Sequence, residues 1–201
     1  MKLYFSPGAC SLSPHIVLLE AGLEFSAERV DLREKRTSSG ADFRTINPKG
    51  YVPALALDDG TLLTEGASIV QYLADLAPQA GLLPPVGDTA RYQVISWLSY
   101  ISSELHKNFS PLFNPAASED MKAHARKMLA LRLEYVATQL GKGEYLETRF
   151  SVADAYLFTV LGWTDVVKLS LAEWPVLGEY RARIAARPAV QQALRAEGLV
   201  K

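Results

Sequence analysis

The stretch NPKGYVPALALDDGTLLTEGASIVQYLADLAP, residues 47–78, decides how this chain folds. Asn47-Pro48-Lys49-Gly50 reads as a turn, and residues 54–57 read as a strand. Asp58-Asp59-Gly60 is a hairpin signal, because Asp-Gly accommodates the positive φ that a tight turn needs, and residues 61–63 return as the partner strand. Thr64-Glu65-Gly66 then opens a helix whose apolar stripe is Ile69, Val70, Tyr72, Leu73 and Leu76. Working outward, KLYF at residues 2–5 is a short strand closed by Ser6-Pro7-Gly8. Pro14 suits a first helical turn, Ile16, Leu18 and Leu19 form an apolar face, and Gly22 is a stop. Residues 23–32 alternate like a second strand, and a short helix fits residues 41–46. The order βαβαββα places two parallel strands and an antiparallel hairpin in one small sheet with helices on its faces.

Residues 78–88, PQAGLLPPVGD, hold three prolines and two glycines in eleven positions. Neither helix nor strand tolerates that density, so residues 79–87 read as a linker between a domain at 1–78 and an all-helical one at 88–201. There a helix is expected from residue 89 to 109, ended by Ser110-Pro111. A second runs from 119 to 140, followed by Gly141-Lys142-Gly143. Ser151-Val152-Ala153-Asp154 fits a capping box ahead of the apolar run AYLFTVLGW. Trp174-Pro175 and Arg187-Pro188 each open a further helix. The fold class is α+β.

Composition narrows the function. The formal net charge is −1, with 21% charged and 49% hydrophobic residues, so a polyanion such as nucleic acid is not the expected partner. The opening MKLYFSPG is too short for a signal-peptide core, and no stretch reads as a membrane span. A single cysteine, Cys10, allows no internal disulfide and leans toward a reducing compartment. A soluble cytoplasmic protein is expected, and no metal.

Cys10 precedes the first helix. In one reading the helix N-terminus stabilises its thiolate, with Ser11 as a further donor; in the other it is a small buried hydrophobe. Ser13 in C-S-L-S stands where a second thiol would be needed, so any thiol chemistry borrows an external partner. Val52-Pro53 enters a strand and could be cis or trans. Glu65-Gly66 starts a helix that could hold a carboxylate, although an acid in a first turn is also ordinary dipole matching. Lys35, in the polar loop, is by itself more often a solvated charge than a ligand. Ser99, Ser103 and His106 fall on one helical face beside an apolar stripe, and His106 could instead simply favour the helix C-terminus.

In this order and spacing, SPGACSLSPHIVLLEAGL, NPKGYVPAL, LDDGTLLTEGASIVQYLAD, SSELHKNFSPLFNP, SVADAYLFTVLGW and RPAVQQALRAEGL resemble the glutathione transferases, most closely the bacterial beta class. The resemblance spans the chain. It implies a thioredoxin-like N-terminal domain, an all-α C-terminal domain, a homodimer, and a glutathione site between the domains. It implies that Cys10 faces the glutathione sulfur and can form a mixed disulfide with it. Val52 would pair with the cysteinyl part beside cis-Pro53. Glu65 and the Gly66 amide would hold the γ-glutamyl end, and Lys35 the glycyl carboxylate. Ser103 and His106 would reach the sulfur, with Lys107 nearby; Ser99 replaces an Asn of some relatives and is a shorter donor. Phe109, Phe113 and Trp163 would line a pocket for a small hydrophobic electrophile. The expected activity is glutathione conjugation or reductive dehalogenation. A single-cysteine thiol reductase and a non-catalytic binding or regulatory protein are the alternatives.

Overall fold

The computed structural model describes all 201 residues, and the chain forms two compact units. The first comprises Met1–Leu83 together with Arg187–Lys201. It begins with β1 (Lys2–Phe5), α1 (Leu12–Glu20), β2 (Ser26–Asp31), β3 (Arg36–Thr37) and α2 (Phe43–Ile46). The hairpin β4 (Ala54–Ala56) and β5 (Leu62–Thr64) and then α3 (Gly66–Leu76) complete the expected βαβαββα order. The two-residue β3 is an addition at the sheet edge, and the strands lie in the order β3-β2-β1-β4-β5. β1 and β2 are parallel, with Leu3 opposite Ala27. β1 and β4 are antiparallel, with Tyr4 opposite Ala54.

Alternation along the strands divides the core between two faces. Tyr4, Val30, Val52 and Ala54 pack with Phe43 of α2 on one. Phe5 points the other way, its ring 5.7 Å from that of His15 on α1, and α1 packs against α3.

One expected boundary shifts. The sequence reading ran the helical domain to residue 201, whereas α9 (Pro188–Ala196) packs on α1 in the first unit. Val190 and Ala193 are its buried residues. Its attachment is also polar: Arg187 makes a two-pronged pair with Glu20, at 2.6 and 2.8 Å. Glu197, buried just beyond the helix, uses both carboxylate oxygens. Oε1 lies 2.9 Å from Nδ1 of buried His15, and Oε2 accepts the Gly8 N–H at 2.9 Å. These partners lie more than 160 residues apart, so no local pattern announces them.

The second unit, Pro84–Ala186, is helical: α4 (Thr89–Tyr100), α5 (Lys107–Phe113), α6 (Glu119–Leu140), α7 (Val152–Val166) and α8 (Pro175–Ala185). Asp88 caps α4 and Ser118 caps α6, each side chain accepting a first-turn N–H. The helix expected to end at Ser110-Pro111 instead passes from α4 through a π-helical stretch, Ile101–His106, into α5 and stops at Phe113. From α5 the Asn108 side chain donates back to the carbonyl of Glu104 in the π stretch at 2.6 Å. Pro111 falls inside α5, and Asn114-Pro115 is the actual stop. No helix is long and apolar enough to cross a membrane.

The capping box at α7 is present as expected. Asp154, fully buried, accepts from the Leu146 N–H (3.0 Å), the Ser151 N–H and hydroxyl (2.9 Å each) and the Tyr180 hydroxyl (2.9 Å). Burial raises its carboxyl, while the accepted bonds pull the other way. Replacing Asp154 with Ala strands four buried donors and is expected to cost about 3 kcal/mol, read as a lower denaturation midpoint at unchanged slope. A change under about 1 kcal/mol would show that the network is dispensable.

Candidate functional site

In the first unit the turn between β1 and α1 carries Cys10. The Ala9 N–H donates to Ser6 (3.0 Å) and the Leu12 N–H to Ala9 (2.9 Å). Ser11 is fully buried; its hydroxyl oxygen accepts the Ser6 N–H at 3.1 Å and lies 3.3 Å from the Ser6 carbonyl. The expected donor to sulfur is thus the clasp that closes the loop. The helix begins at Leu12, after an N-cap Ser11 that makes no side-chain cap bond.

Of the two readings of Cys10, the geometry favours the buried, protonated thiol. The thiol donates to the Val52 carbonyl at 3.2 Å, a bond only the protonated sulfur can make. Burial pushes it up to about 12, against the opposing pull of the Cys10 and Ser11 backbone N–H groups, and the Glu65 charge pushes it further up. The residue as a whole keeps some exposure. Desolvation beats the helix terminus because the terminal effect is worth about 0.3–1 kcal/mol, while burying a charge costs more.

The Val52-Pro53 bond is cis. Gly66 adjoins Pro53, since a Cβ built on it would lie 3.7 Å from the Pro53 ring. Glu65, at the start of α3, has φ 70° and ψ 113°, a left-handed conformation that costs a non-glycine residue energy. Its carbonyl accepts from the Ser68 and Ile69 N–H groups, both at 3.0 Å. Its carboxylate accepts from the Lys49 ammonium and, at 3.1 Å, from the Tyr51 hydroxyl. Lys49 also reaches the Thr64 hydroxyl at 3.1 Å. Lys35, with φ 56°, donates to the Gly50 carbonyl at 2.8 Å. Cys10, Lys35, Val52, Pro53, Glu65 and Gly66 thus lie along one strip of linked contacts. Lys49 and Tyr51 belong to it too and were missed. The NPKGY segment reads as turn chemistry, and only folding sets its two polar side chains against Glu65.

In the second unit His106, half-buried, has its Nδ1 2.7 Å from the hydroxyl of Tyr156. Its ring meets Trp163 edge to face, with centroids 4.6 Å apart. Trp163 in turn meets Phe109 (5.5 Å) and Phe113 (5.6 Å). The expected apolar trio therefore clusters with His106, and Tyr156 joins it, hidden in sequence within an apolar run. The single-face expectation for the serines is not met in the same way. Ser99 and Ser103 are exposed and donate to the carbonyls of Ile95 and Ser99, both at 3.0 Å. The π stretch between Ser99 and Lys107 changes the residue spacing on which the α-helical alignment rested. Lys107 is exposed at the start of α5.

The glutathione S-transferase N-terminal domain family matches residues 8–76, and the C-terminal domain family matches 100–188. Glutathione S-transferase GstA of Escherichia coli O157:H7 is 52% identical over 200 residues, covering 99% of this chain and 100% of the relative. A sphingomonad glutathione S-transferase, solved complexed with glutathione, shares 48% identity with a TM-score of 0.96 and full coverage of both chains. The beta-class glutathione S-transferase of Sphingomonas chungbukensis gives the same identity, TM-score and coverage. Both halves of the fold and matches over the whole length agree, and the chain belongs to the glutathione S-transferase family, with beta-class enzymes among its structural neighbours.

Proposed function

We propose that this protein binds glutathione on the strip in its first unit and activates the tripeptide's thiol for attack on a small electrophile. The observation that carries the reading is the match between the strip and the ligand. Glutathione presents an ammonium and a carboxylate at its γ-glutamyl end, a second carboxylate at its glycyl end, and an extended backbone between. Glu65 beside Lys49 sets an acid and a base together for the first end, joined by the α3 N-terminus at Gly66. Lys35 offers a cation for the glycyl carboxylate, and Val52 next to cis-Pro53 offers main chain for the middle. That a sphingomonad relative was solved complexed with glutathione supports glutathione as the ligand.

The chemistry follows from the protonation of Cys10. A thiol held as S–H is a poor nucleophile but a usable hydrogen-bond donor. The attacking sulfur is therefore that of glutathione: its proton leaves to solvent, the thiolate forms a C–S bond, and the carbon–halogen bond breaks with release of halide. His106 serves this step, and Phe109, Phe113 and Trp163 accommodate an apolar electrophile. Thiol exchange through a Cys10–glutathione mixed disulfide is the secondary route, disfavoured by burial of the sulfur. By the same family reading the protein works as a cytoplasmic homodimer.

Two outcomes are expected. Glu65→Ala removes a charged hydrogen-bonding group and should raise the glutathione dissociation constant about tenfold, measured calorimetrically; an unchanged constant would remove the strip from the argument. Cys10 in the free protein should alkylate with iodoacetamide far more slowly than a free thiol at neutral pH, and its rate should keep rising into the most alkaline buffers the fold survives. The sign is set by a pKa near 12, which leaves almost no thiolate at neutrality. Cys10→Ala should retain conjugation of chlorodinitrobenzene, and loss of that turnover would make Cys10 the catalyst.

A further inference from the structure

Helix α7 is buried at nearly every position, yet two of its side chains lean on one imidazole. Tyr156 and Trp163 are seven residues apart, two turns along the same face. Trp163 meets the His106 ring at 4.6 Å with an interplanar angle of 74°, and the Tyr156 ring meets it at 6.1 Å and 84°. These contacts orient the imidazole. The contact between the Tyr156 hydroxyl and Nδ1, at 2.7 Å, concerns its proton.

At 2.7 Å the contact is a close hydrogen bond whose length suits donation from either side. Acidity sets the direction, because a phenol O–H is far more acidic than the N–H of a neutral imidazole and is the better donor. We propose that Tyr156 is a positioning residue that donates to Nδ1 and holds neutral His106 with its proton on Nε2. The ring then acts as a hydrogen-bond donor toward a thiolate, not as the base that removes the thiol proton. Accepting a bond at Nδ1 also draws electron density from the ring and strengthens the Nε2–H donor. This role rests on the reading that His106 serves the conjugation step.

The test begins with the intact protein. Long-range proton–nitrogen correlation spectra of histidine-labelled enzyme above neutral pH should show His106 as the Nε2–H tautomer, assigned by loss of its signals in His106→Gln. An Nδ1–H tautomer would overturn the proposal whatever the kinetics show. In Tyr156→Phe the His106 signals should shift toward a mixture of tautomers, and unchanged signals would overturn it. With glutathione and chlorodinitrobenzene, that variant should lose about tenfold in kcat, with the KM for glutathione within about twofold. In the His106→Gln background the same change should have almost no further effect, because both substitutions then remove one device. Additive losses would mean that Tyr156 merely supports packing. If His106→Gln retained full turnover while the native tautomer was Nε2–H, the reading of His106 as serving the reaction would fail and the tautomer assignment would stand.

Discussion

The candidate site depends first on strand pairing. β1 runs antiparallel to β4 with Tyr4 opposite Ala54, so the chain leaving β1 lies beside the chain entering β4. Cys10 sits five residues past the end of β1, and Val52 two residues before the start of β4. Their meeting at 3.2 Å follows from that register. A slip of one residue would turn Tyr4 out of the cluster with Phe43 and move the Cys10 turn away from Val52. The apolar core therefore holds the polar site in register. From the other side, Glu197 anchors the same turn by accepting the Gly8 N–H.

The charges along the strip contribute little to stability. The Lys49 and Glu65 side chains are 44% and 55% exposed, and such a pair is worth about 0–1 kcal/mol after solvent screening. Holding Glu65 at φ 70° costs about 1–3 kcal/mol, which the pair does not offset. The fold gains nothing from that arrangement, which suits the proposed ligand, with an ammonium and a carboxylate at one end. Asp154 is the contrast. It is fully buried with four accepted hydrogen bonds, and its task is to hold α7. Through α7 it supports the two aromatic side chains that meet His106.

Much of this was legible from local chemistry. The hairpin at Asp58-Asp59-Gly60, the Ser151–Asp154 capping box and the α6 limits at 119 and 140 all depend on residues within one or two turns of each other. Cys10, Val52, Pro53, Glu65 and Gly66 were marked by their places at turns and element starts, Lys35 only by the family resemblance, and the fold sets all six along one strip. Other features were not legible. A helix was expected to stop at Pro111, but it continues two residues further, beyond a π stretch that no periodicity indicated. Ser11 looked like a donor to sulfur and is the clasp of its own loop.

The sequence alone determined the βαβαββα order and its helical successor, because these are written in short-range periodicity, caps and turns; the thioredoxin-like identity and the tripeptide site came with the family resemblance. Tertiary structure decided the rest. Burial against Val52 pushes the Cys10 thiol up where the helix terminus alone argued for a thiolate. Packing on α1 draws the last fifteen residues into the first unit. Tyr156, fifty residues from His106, becomes its partner only when α7 is folded. Desolvation and long-range contacts are properties of a neighbourhood, and a neighbourhood exists only once the chain has closed on itself.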